Sequence, residues 1–299
     1  MEHKSFDRVQ LRNTLLLVLG ALIWGVAFVA QSVGSGYVGA YTFLAARSWL
    51  ACAFLLGLLG VRRAVQRRRG VRVPFWLAPK KLAVGGALCG AALFAASAAQ
   101  QMGVGSTSTA KAGFLTALYV VIVPVLGLLA GRRPGARLWV CVAVSVAGLY
   151  LLCIGENFSI APGDGLLILC ALCFSGHILV VDHFSRRTDC VKMSCLQFAT
   201  ASVLCMGVAV FTEPIDAGTI VKCAVPLLYA GVLSGAVGYT LQIVAQKDTD
   251  PTVASLLMSL ESVFAVLAGW VLLGDMLTAR EALGCVLMMG GIVLAQLKS

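Results

Sequence analysis

Two ionisable side chains lie deep within long apolar runs of this 299-residue chain. Glu261 is ten residues into the run from 251 to 274, about 15 Å from its start at the rise of an α-helix. Arg47 is about eight residues into a second run, from 39 to 61. An ionisable group at the centre of a bilayer costs at least about 2.5 to 3.5 kcal/mol. If these runs cross a membrane, each charge needs a partner or a function.

Each of the two charges has a functional and a structural interpretation. Glu261 could couple proton movement or balance a cationic ligand, or it could bond to neighbouring helix backbone or to a fixed arginine. Arg47 could bind a ligand carboxylate, because its planar fork matches that group, or it could pair with a fixed acid or extend to the surface. We therefore predict Glu261 and Arg47 as coupling groups or as a structural ion pair.

Neutral polar and aromatic side chains within the apolar runs are further candidates for binding a small molecule. The two glutamines could equally join helices by hydrogen bonds, the aromatic residues could simply pack, and the histidine could be a proton relay or a satisfied core residue. The predicted substrate-binding residues, besides Glu261, are Trp24, Gln100, Tyr119, His177, Tyr239 and Gln242.

No metal, cofactor or catalytic site is predicted. Eleven cysteines are an odd number and most lie inside apolar runs, which is typical of small apolar filler and not of a disulfide framework. Cys170 and Cys173 form a CxxC, but it lies in an apolar run without a second CxxC or clustered histidines.

The composition predicts that these residues are positioned by membrane-spanning helices. Hydrophobic residues make up 60% of the chain and charged residues 12%, about half of what a soluble domain carries, which excludes a water-soluble enzyme. At about 20 residues per span, the chain holds about ten spans. The fold class predicted is all-α integral membrane, with helices over 13 to the turn-like Gly34-Ser35-Gly36, 39–61, 82–110, 112–131, 138–155, 165–181, 193–212, 223–246, 251–274 and 282–297.

The positive charges predict the orientation. With the N-terminus in the cytoplasm, nineteen of the 23 lysines and arginines fall on the cytoplasmic side and three on the other. We therefore expect both termini in the cytoplasm of a multi-pass protein of the cell membrane. The net charge of +10 then reflects topology and implies no nucleic-acid partner. The basic loop from Arg62 to Lys81 is predicted to lie on anionic lipids, or to act only as a topology determinant.

An internal repeat relates the two halves of the chain. A shift of 142 residues aligns the third and fourth predicted helices with the eighth and ninth, and it places Gln100 on Gln242 and Tyr119 on Glu261. The halves are 14–155 and 163–297. Five helices is an odd number, so the second half enters the membrane from the opposite side. Inverted repeats of this kind are typical of secondary transporters.

Short motifs add a family resemblance over residues 14 to 297. Leu22–Val29 (LIWGVAFV), Ser259–Phe264 (SLESVF) and the LLGD at 272–275 resemble the EamA-type members of the drug/metabolite transporter superfamily. Ser262 stands where the family commonly has proline, and Asp275 where it has glutamate. The resemblance implies a ten-helix bundle with a central cavity lined by helices 1, 3, 4, 6, 8 and 9. It also implies movement of amino acids, other small metabolites, drugs or nucleotide sugars, often outward.

Together these observations predict a secondary transporter. We expect it to move a small polar or amphipathic metabolite, such as an amino acid, a related compound or a drug-like molecule, by alternating access, and to act as an exporter. A membrane-embedded enzyme and a receptor or scaffold without transport are the alternatives. The chain has no HExxH, no acidic cluster for a diphosphate and no GxSG, which disfavours the enzyme, and the inverted repeat disfavours a static scaffold. The expected partners are a small-molecule substrate and the lipid bilayer, and no particular oligomeric state follows from the sequence.

Overall fold

The structure is a computed structural model that describes residues 2–70, 78–104, 109–154, 163–273 and 278–296. Within these ranges every regular element is helical, and ten helices are long and apolar enough to cross a membrane, as predicted. A short helix, Ala217–Lys222, precedes the eighth span. The spans are α1 (Glu2–Ser35), α2 (Ala40–Arg68), α3 (Pro79–Val104), α4 (Ala112–Leu129), α5 (Ala136–Cys153), α6 (Asp164–Ser185), α7 (Cys190–Thr212), α8 (Ala224–Gln246), α9 (Pro251–Val271) and α10 (Ala279–Gln296).

Both ends of the described chain lie on one side of the bundle, which we call the terminal side. The Nε2 of Gln10 is 3.5 Å from the Oε1 of Gln296, and the Asn13 amide donates to the Thr249 hydroxyl at 3.4 Å. The opposite side is called the distal side. Because α1 runs from the terminal to the distal side and each later span reverses direction, α2, α4, α6, α8 and α10 begin on the distal side.

Acidic side chains cap several helices whose first backbone N–H groups lack partners within the helix. The Oδ1 of Asp189 accepts from two N–H groups of α7 at 3.1 Å, and that of Asp250 does so for α9. At the distal end of α2, Glu213 reaches across from α7 and accepts from the N–H groups of Tyr41 and Thr42, both at 2.8 Å. A Cβ on Gly39 would lie 2.3 Å from the Glu213 carboxyl carbon, so a larger residue there would displace this carboxylate.

The helices α4 and α9 are broken within one residue of corresponding points. Leu118 and Ser259 have nearly the same backbone angles, with ψ of −12° and −13°, and each divides its span into two segments. Pro124 lies within the second segment of α4, where it removes the hydrogen bond to the Val120 carbonyl. In α9 the family proline is replaced by Ser262, yet the helix still breaks. The hydroxyls of Ser255 and Ser259 instead donate to carbonyls three residues back, which bends helices.

Helix α8 departs from α-helical geometry over half its length. Tyr229–Tyr239 forms a π-helix, whereas its counterpart α3 is α-helical throughout. Glycines in this segment allow close contact with other helices. A Cβ on Gly231 would lie 2.7 Å from the Leu50 Cβ, and one on Gly238 would lie 2.8 Å from the Trp24 Nε1. These glycines therefore serve packing.

The two repeats interpenetrate in the bundle. The most extensive helix contacts pair α5 with α10, α3 with α6 and α7, α2 with α7, and α1 with α8 and α9, and all of these cross from one repeat to the other. Sequential neighbours such as α1 and α2 contact each other much less. The repeats are thus units of sequence, and the bundle is held together by pairs of helices taken from both.

Ion pairs fasten the terminal side of the bundle. Asp182, 2% exposed at its side chain, binds Arg132 from the first repeat through Oδ2 and Arg186 from its own helix through Oδ1. Arg62 pairs with Asp189 at 2.9 Å. Helix α6 extends past the apolar run predicted for it to Ser185, because Asp182 is neutralised by the two arginines. Gly131, at φ +78°, makes the turn after α4 that presents Arg132.

Candidate functional site

A cavity lies in the middle of the bundle and is lined by seven helices. Its volume open to the centres of water molecules is about 50 Å³, which is room for a few waters. The lining comes from α1, α3, α4, α6, α8 and α9, the helices that the resemblance implies, together with α2, which contributes Arg47.

All eight residues predicted from the sequence line this cavity: Trp24, Arg47, Gln100, Tyr119, His177, Tyr239, Gln242 and Glu261. Eight further lining residues were not predicted: Ala27, Phe28, Gln31, Thr116, Phe174, Ile178, Ser234 and Met258. Some of these residues could have been recognised in the sequence, because Trp24, Ala27, Phe28 and Gln31 have the spacing of one helix face. Whether the lining residues bind a substrate stays a prediction.

The lining follows the internal repeat. The last residues of α1 and α6, Ser35 and Ser185, differ by 150 positions, as do the residues before α2 and α7, Gly39 and Asp189. Residues of the first two helices of each repeat are therefore aligned with an offset of 150 positions, and residues of α3 and α4 are aligned with those of α8 and α9 with an offset of 142. With these offsets, twelve of the sixteen lining residues form equivalent pairs. The pairs are Trp24 and Phe174, Ala27 and His177, Phe28 and Ile178, Gln100 and Gln242, Thr116 and Met258, and Tyr119 and Glu261.

One equivalent pair is in direct contact. The Tyr119 hydroxyl donates to the Glu261 Oε1 at 3.0 Å, and both side chains are buried. Two residues related by a twofold operation can touch only if both lie close to the axis. The pseudo-twofold axis therefore passes through the cavity beside this contact, about halfway along α4 and α9.

The phenol of Tyr119 takes the place of the arginine considered as a structural partner for Glu261. Among the described residues no carboxylate lies within 4.0 Å of Arg47, and no cationic group lies within that distance of Glu261. The structural ion pair between Glu261 and Arg47 is therefore not formed in this structure. Roles of the two residues in coupling stay predictions.

Arg47 is held by neutral groups in the distal half of the cavity. Its Nη1 donates to the Gln31 amide oxygen at 3.3 Å and its Nη2 donates to the Ser97 hydroxyl at 3.1 Å. Both contacts orient the guanidinium without neutralising it. A guanidinium whose described partners are neutral retains its full attraction for a planar anion such as a carboxylate.

Aromatic rings form a wall of the cavity around Tyr239. Its ring centre lies 5.0 Å from that of Trp24, 5.8 Å from the imidazole of His177 and 5.6 Å from that of Phe198. The Trp24 Nε1 donates to the Ser234 carbonyl at 3.2 Å, which holds the indole against α8. Such rings offer broad apolar surface and, in Tyr239, a hydroxyl within electrostatic reach of both Arg47 and Glu261.

The two glutamines line opposite ends of the cavity. Gln100 is four residues from the distal end of α3, and Gln242 is four residues from the terminal end of α8. An in-plane twofold axis has this effect, since it exchanges the two faces of the membrane. The glutamines thus share the cavity but do not face each other at one level.

The terminal end of the cavity is enclosed, whereas the distal end has both buried residues, such as Gln100, and partly exposed ones. His177, Ile178, Gln242 and Met258 are each at most 3% exposed, whereas Gln31 and Arg47 are partly exposed. Ile178 is one helical turn from Asp182, which binds Arg132 and Arg186. In this structure the terminal end is therefore sealed by packing and by ion pairs.

Comparisons with known proteins agree with this architecture. The family model described as the EamA-like transporter family matches residues 12–154 and again residues 161–297. A protein of Archaeoglobus fulgidus described as an uncharacterized transporter is 28% identical over 286 residues, which cover 94% of this chain and 85% of that protein. A solved structure described only as "Crystal structure of protein" has a TM-score of 0.73 at 20% identity, covers 95% of this chain and 96% of its own, and shows the same fold.

Proposed function

The chain belongs to the EamA-like transporter family, and we propose that it carries a small amphipathic carboxylate, such as an amino acid or a related compound, through its central cavity. As a member of this family it is a multi-pass membrane transporter of the cell membrane and not an enzyme. The proposal adds the class of substrate, the residues that bind it and the way in which it crosses.

The observation that carries the proposal is the setting of Arg47. Placing a cation within a bundle of apolar helices is expensive, and an internal carboxylate would offset that cost. Arg47 instead has neutral partners among the described residues and lines the cavity. A substrate carboxylate is the group that its fork matches best. The apolar part of the substrate then packs against Trp24 and Tyr239.

Glu261 is the second charged group of the proposed site. It lies in the middle of the bundle, where it can take up a proton during transport or balance an amino group of the substrate. The Tyr119 hydroxyl orients one of its oxygens and leaves the other for a second partner. In this proposal Arg47 and Glu261 bind opposite charges of one ligand, as a zwitterion requires.

Alternating access is the proposed route of movement, with export as the net direction. The pseudo-twofold axis through the cavity means that exchanging the conformations of the repeats exchanges which end of the cavity is sealed. The enclosed terminal end and the more exposed Arg47 support the assignment of this structure to a state that is accessible from the distal side.

The proposal also includes the topology and the lipid contacts. Both termini are proposed to lie in the cytoplasm, because positive residues concentrate on the terminal side. Helix α2 extends to Arg68, and the exposed residues Arg63, Arg67, Arg68 and Arg69 are proposed to lie on anionic lipid headgroups. Residues 71–77 of this basic loop lie outside the described residues.

Flux into proteoliposomes tests the proposal. Purified protein is reconstituted and tested with radiolabelled amino acids and related carboxylates, with and without a proton gradient. We expect saturable flux that Arg47→Gln reduces about 100-fold and that Arg47→Lys reduces less, because lysine keeps the charge but loses the two-pronged hydrogen bonding. Equal flux by wild type and Arg47→Gln for every carboxylate would refute the assignment of Arg47.

A further inference from the structure

The terminal end of the cavity contains a buried hydrogen-bond acceptor that the proposed carboxylate site does not use. Gln242 is 3% exposed and lines the cavity, and its side-chain oxygen has no hydrogen-bond partner in the structure. Leaving a buried acceptor unsatisfied costs about 1 to 3 kcal/mol. A polar group of this kind, on a residue that lines a cavity, indicates a place where a ligand supplies the missing donor.

The orientation of the Gln242 amide follows from its neighbours. The Gln246 Nε2 donates to the Ile178 carbonyl at 3.4 Å, and that carbonyl can only accept. The Gln246 oxygen is therefore left to accept, and it takes the Gln242 Nε2 at 2.8 Å. This relay leaves the Gln242 oxygen, and not its nitrogen, without a hydrogen-bond partner.

A second acceptor lies nearby. The His177 Nε2 is 3.0 Å from the Gln197 Oε1, and its Nδ1 is buried without a partner. In the tautomer that donates from Nε2, the Nδ1 can only accept. The ring of Tyr239, one turn before Gln242, contacts the imidazole edge-on at 5.8 Å. In this tautomer His177 and Gln242 together supply two acceptors without donors.

The acceptors are separated from Arg47 along the bundle. A Cβ on Gly231 would lie 2.8 Å from the Arg47 carbonyl, so these two residues are at the same depth. Gln242 is eleven residues further along α8, which corresponds to roughly 15 Å. Once both side chains extend, a ligand of roughly 10 Å bridges them, with its middle against the Trp24 and Tyr239 rings.

We propose that Gln242 and His177 form a second polar subsite, which binds a hydrogen-bond donor at the end of the substrate remote from its carboxylate. Gln246 is the positioning residue, because its relay to Ile178 presents the Gln242 oxygen. The substrate class is an elongated amphipathic carboxylate with a distal amine, hydroxyl or amide N–H and an apolar middle. The inference rests on the proposed function, since it takes the carboxylate to be bound at Arg47.

Two probes that differ only in the distal donor test the subsite. Phenylbutanoate lacks the donor, and its para-amino derivative has it. Binding of each to the purified full-length chain in detergent is measured by isothermal titration calorimetry. We expect the para-amino compound to bind wild type about tenfold more tightly, and we expect Gln242→Leu to remove this preference while the affinity for phenylbutanoate changes less than twofold.

Two further variants separate a subsite from a general effect on the fold. Gln100→Leu, the equivalent change at the distal end, should alter the affinities for both probes by the same factor and keep the tenfold preference. Gln246→Leu should reduce the preference to about threefold without weakening the binding of phenylbutanoate, an effect that a purely structural role would not produce.

The outcomes distinguish this inference from the proposed function. If wild type binds both probes equally and Arg47→Gln weakens both, the carboxylate site stands and the distal subsite is wrong. A tenfold preference that persists in Gln242→Leu would also overturn the subsite. If neither probe binds wild type, the carboxylate site and the subsite both fall.

Discussion

Helices α4 and α9 occupy equivalent places in the two repeats, yet they bring different chemistry to the same point. Both break within one residue of the same repeat position, at Leu118 and Ser259, and both place a residue that closely follows the break beside the pseudo-twofold axis. One then presents the phenol of Tyr119 and the other the carboxylate of Glu261, and the two are joined by a 3.0 Å hydrogen bond. The backbone of the repeats is symmetric here, whereas the ionisable chemistry belongs to one repeat.

The same contrast holds for the helices that precede them. Helix α3 is a regular α-helix, while α8 contains the π-helix Tyr229–Tyr239 beside the cavity. Gln100 and Gln242 are equivalent in sequence but line opposite ends of the cavity. The comparison shows that equivalent positions in the two repeats supply a common helical framework, which two conformations can share. Departures from symmetry, at Arg47, Glu261 and the π-helix, supply the specific chemistry.

Exchanging the contacting pair is the strongest test of this comparison. Glu261→Tyr places two phenols on the axis, and we expect it to lower proteoliposome flux about 100-fold, because the only carboxylate described in the cavity is lost. Combining it with Tyr119→Glu restores a phenol and a carboxylate in reversed order, and flux should return to within about tenfold of wild type. Because the axis relates the two positions, a double variant no better than the single one would show that they are not interchangeable.

Replacing the two arginines that bind Asp182 one at a time tests whether the ion pair between the repeats keeps the terminal end of the cavity closed. Arg132 joins the repeats, whereas Arg186 lies four residues along the helix of Asp182 itself. We expect Arg132→Gln to raise the rate at which a water-soluble maleimide modifies Ile178→Cys about tenfold, because this residue is one turn from Asp182. Rates are corrected with the same variants lacking the added cysteine.

Arg186→Gln is the matched control for this experiment. It removes one positive charge that binds the same carboxylate, but it leaves the ion pair between the repeats intact. The labelling rate of this variant should therefore stay within about twofold of wild type. Equal acceleration by the two variants would mean that the charge around Asp182, and not the contact across the repeats, controls access.

The smallest expected effect concerns the packing of the site. A Cβ on Gly25 in α1 would lie 2.6 Å from the Phe264 Cβ of α9, whereas a Cβ on Gly176 in α6 would meet nothing within 4 Å. We expect Gly25→Ala to cost about 1 to 3 kcal/mol of stability through overpacking. The measurement is the midpoint of thermal unfolding of the purified protein in detergent, which should fall by several degrees.

Gly176→Ala supplies the comparison for Gly25→Ala, because it adds the same methyl group to the equivalent helix in open space. Its midpoint should stay within about one degree of wild type or rise slightly, since alanine favours the helix. Similar losses in both variants would count against close α1–α9 contact as the reason for glycine at position 25.

Much of the fold and the site could be predicted from the sequence. The ten helices are confirmed, all eight candidate residues line one cavity although their binding of a substrate stays a prediction, and the 142-residue shift pairs Tyr119 with Glu261, which are in contact. The break in α9 was not predicted, because Ser262 replaces the proline that would have signalled it. Lining residues such as Ala27 and Ser234 were also missed, because small side chains on a helix look the same whether they face lipid, another helix or a cavity.

By itself the sequence determined which segments enter the membrane and how they repeat, because transfer of apolar residues into a bilayer and the cost of burying charge depend mainly on local composition. Only the tertiary structure decided which helices pair and what faces the cavity. Apolar helices in lipid gain little from hydrophobicity alone, so shape and a few polar contacts select their partners. The helix pairing that results joins the repeats through Arg132 and Asp182. It also leaves Arg47 with neutral partners and brings Tyr119 into contact with Glu261, 142 residues away in the sequence.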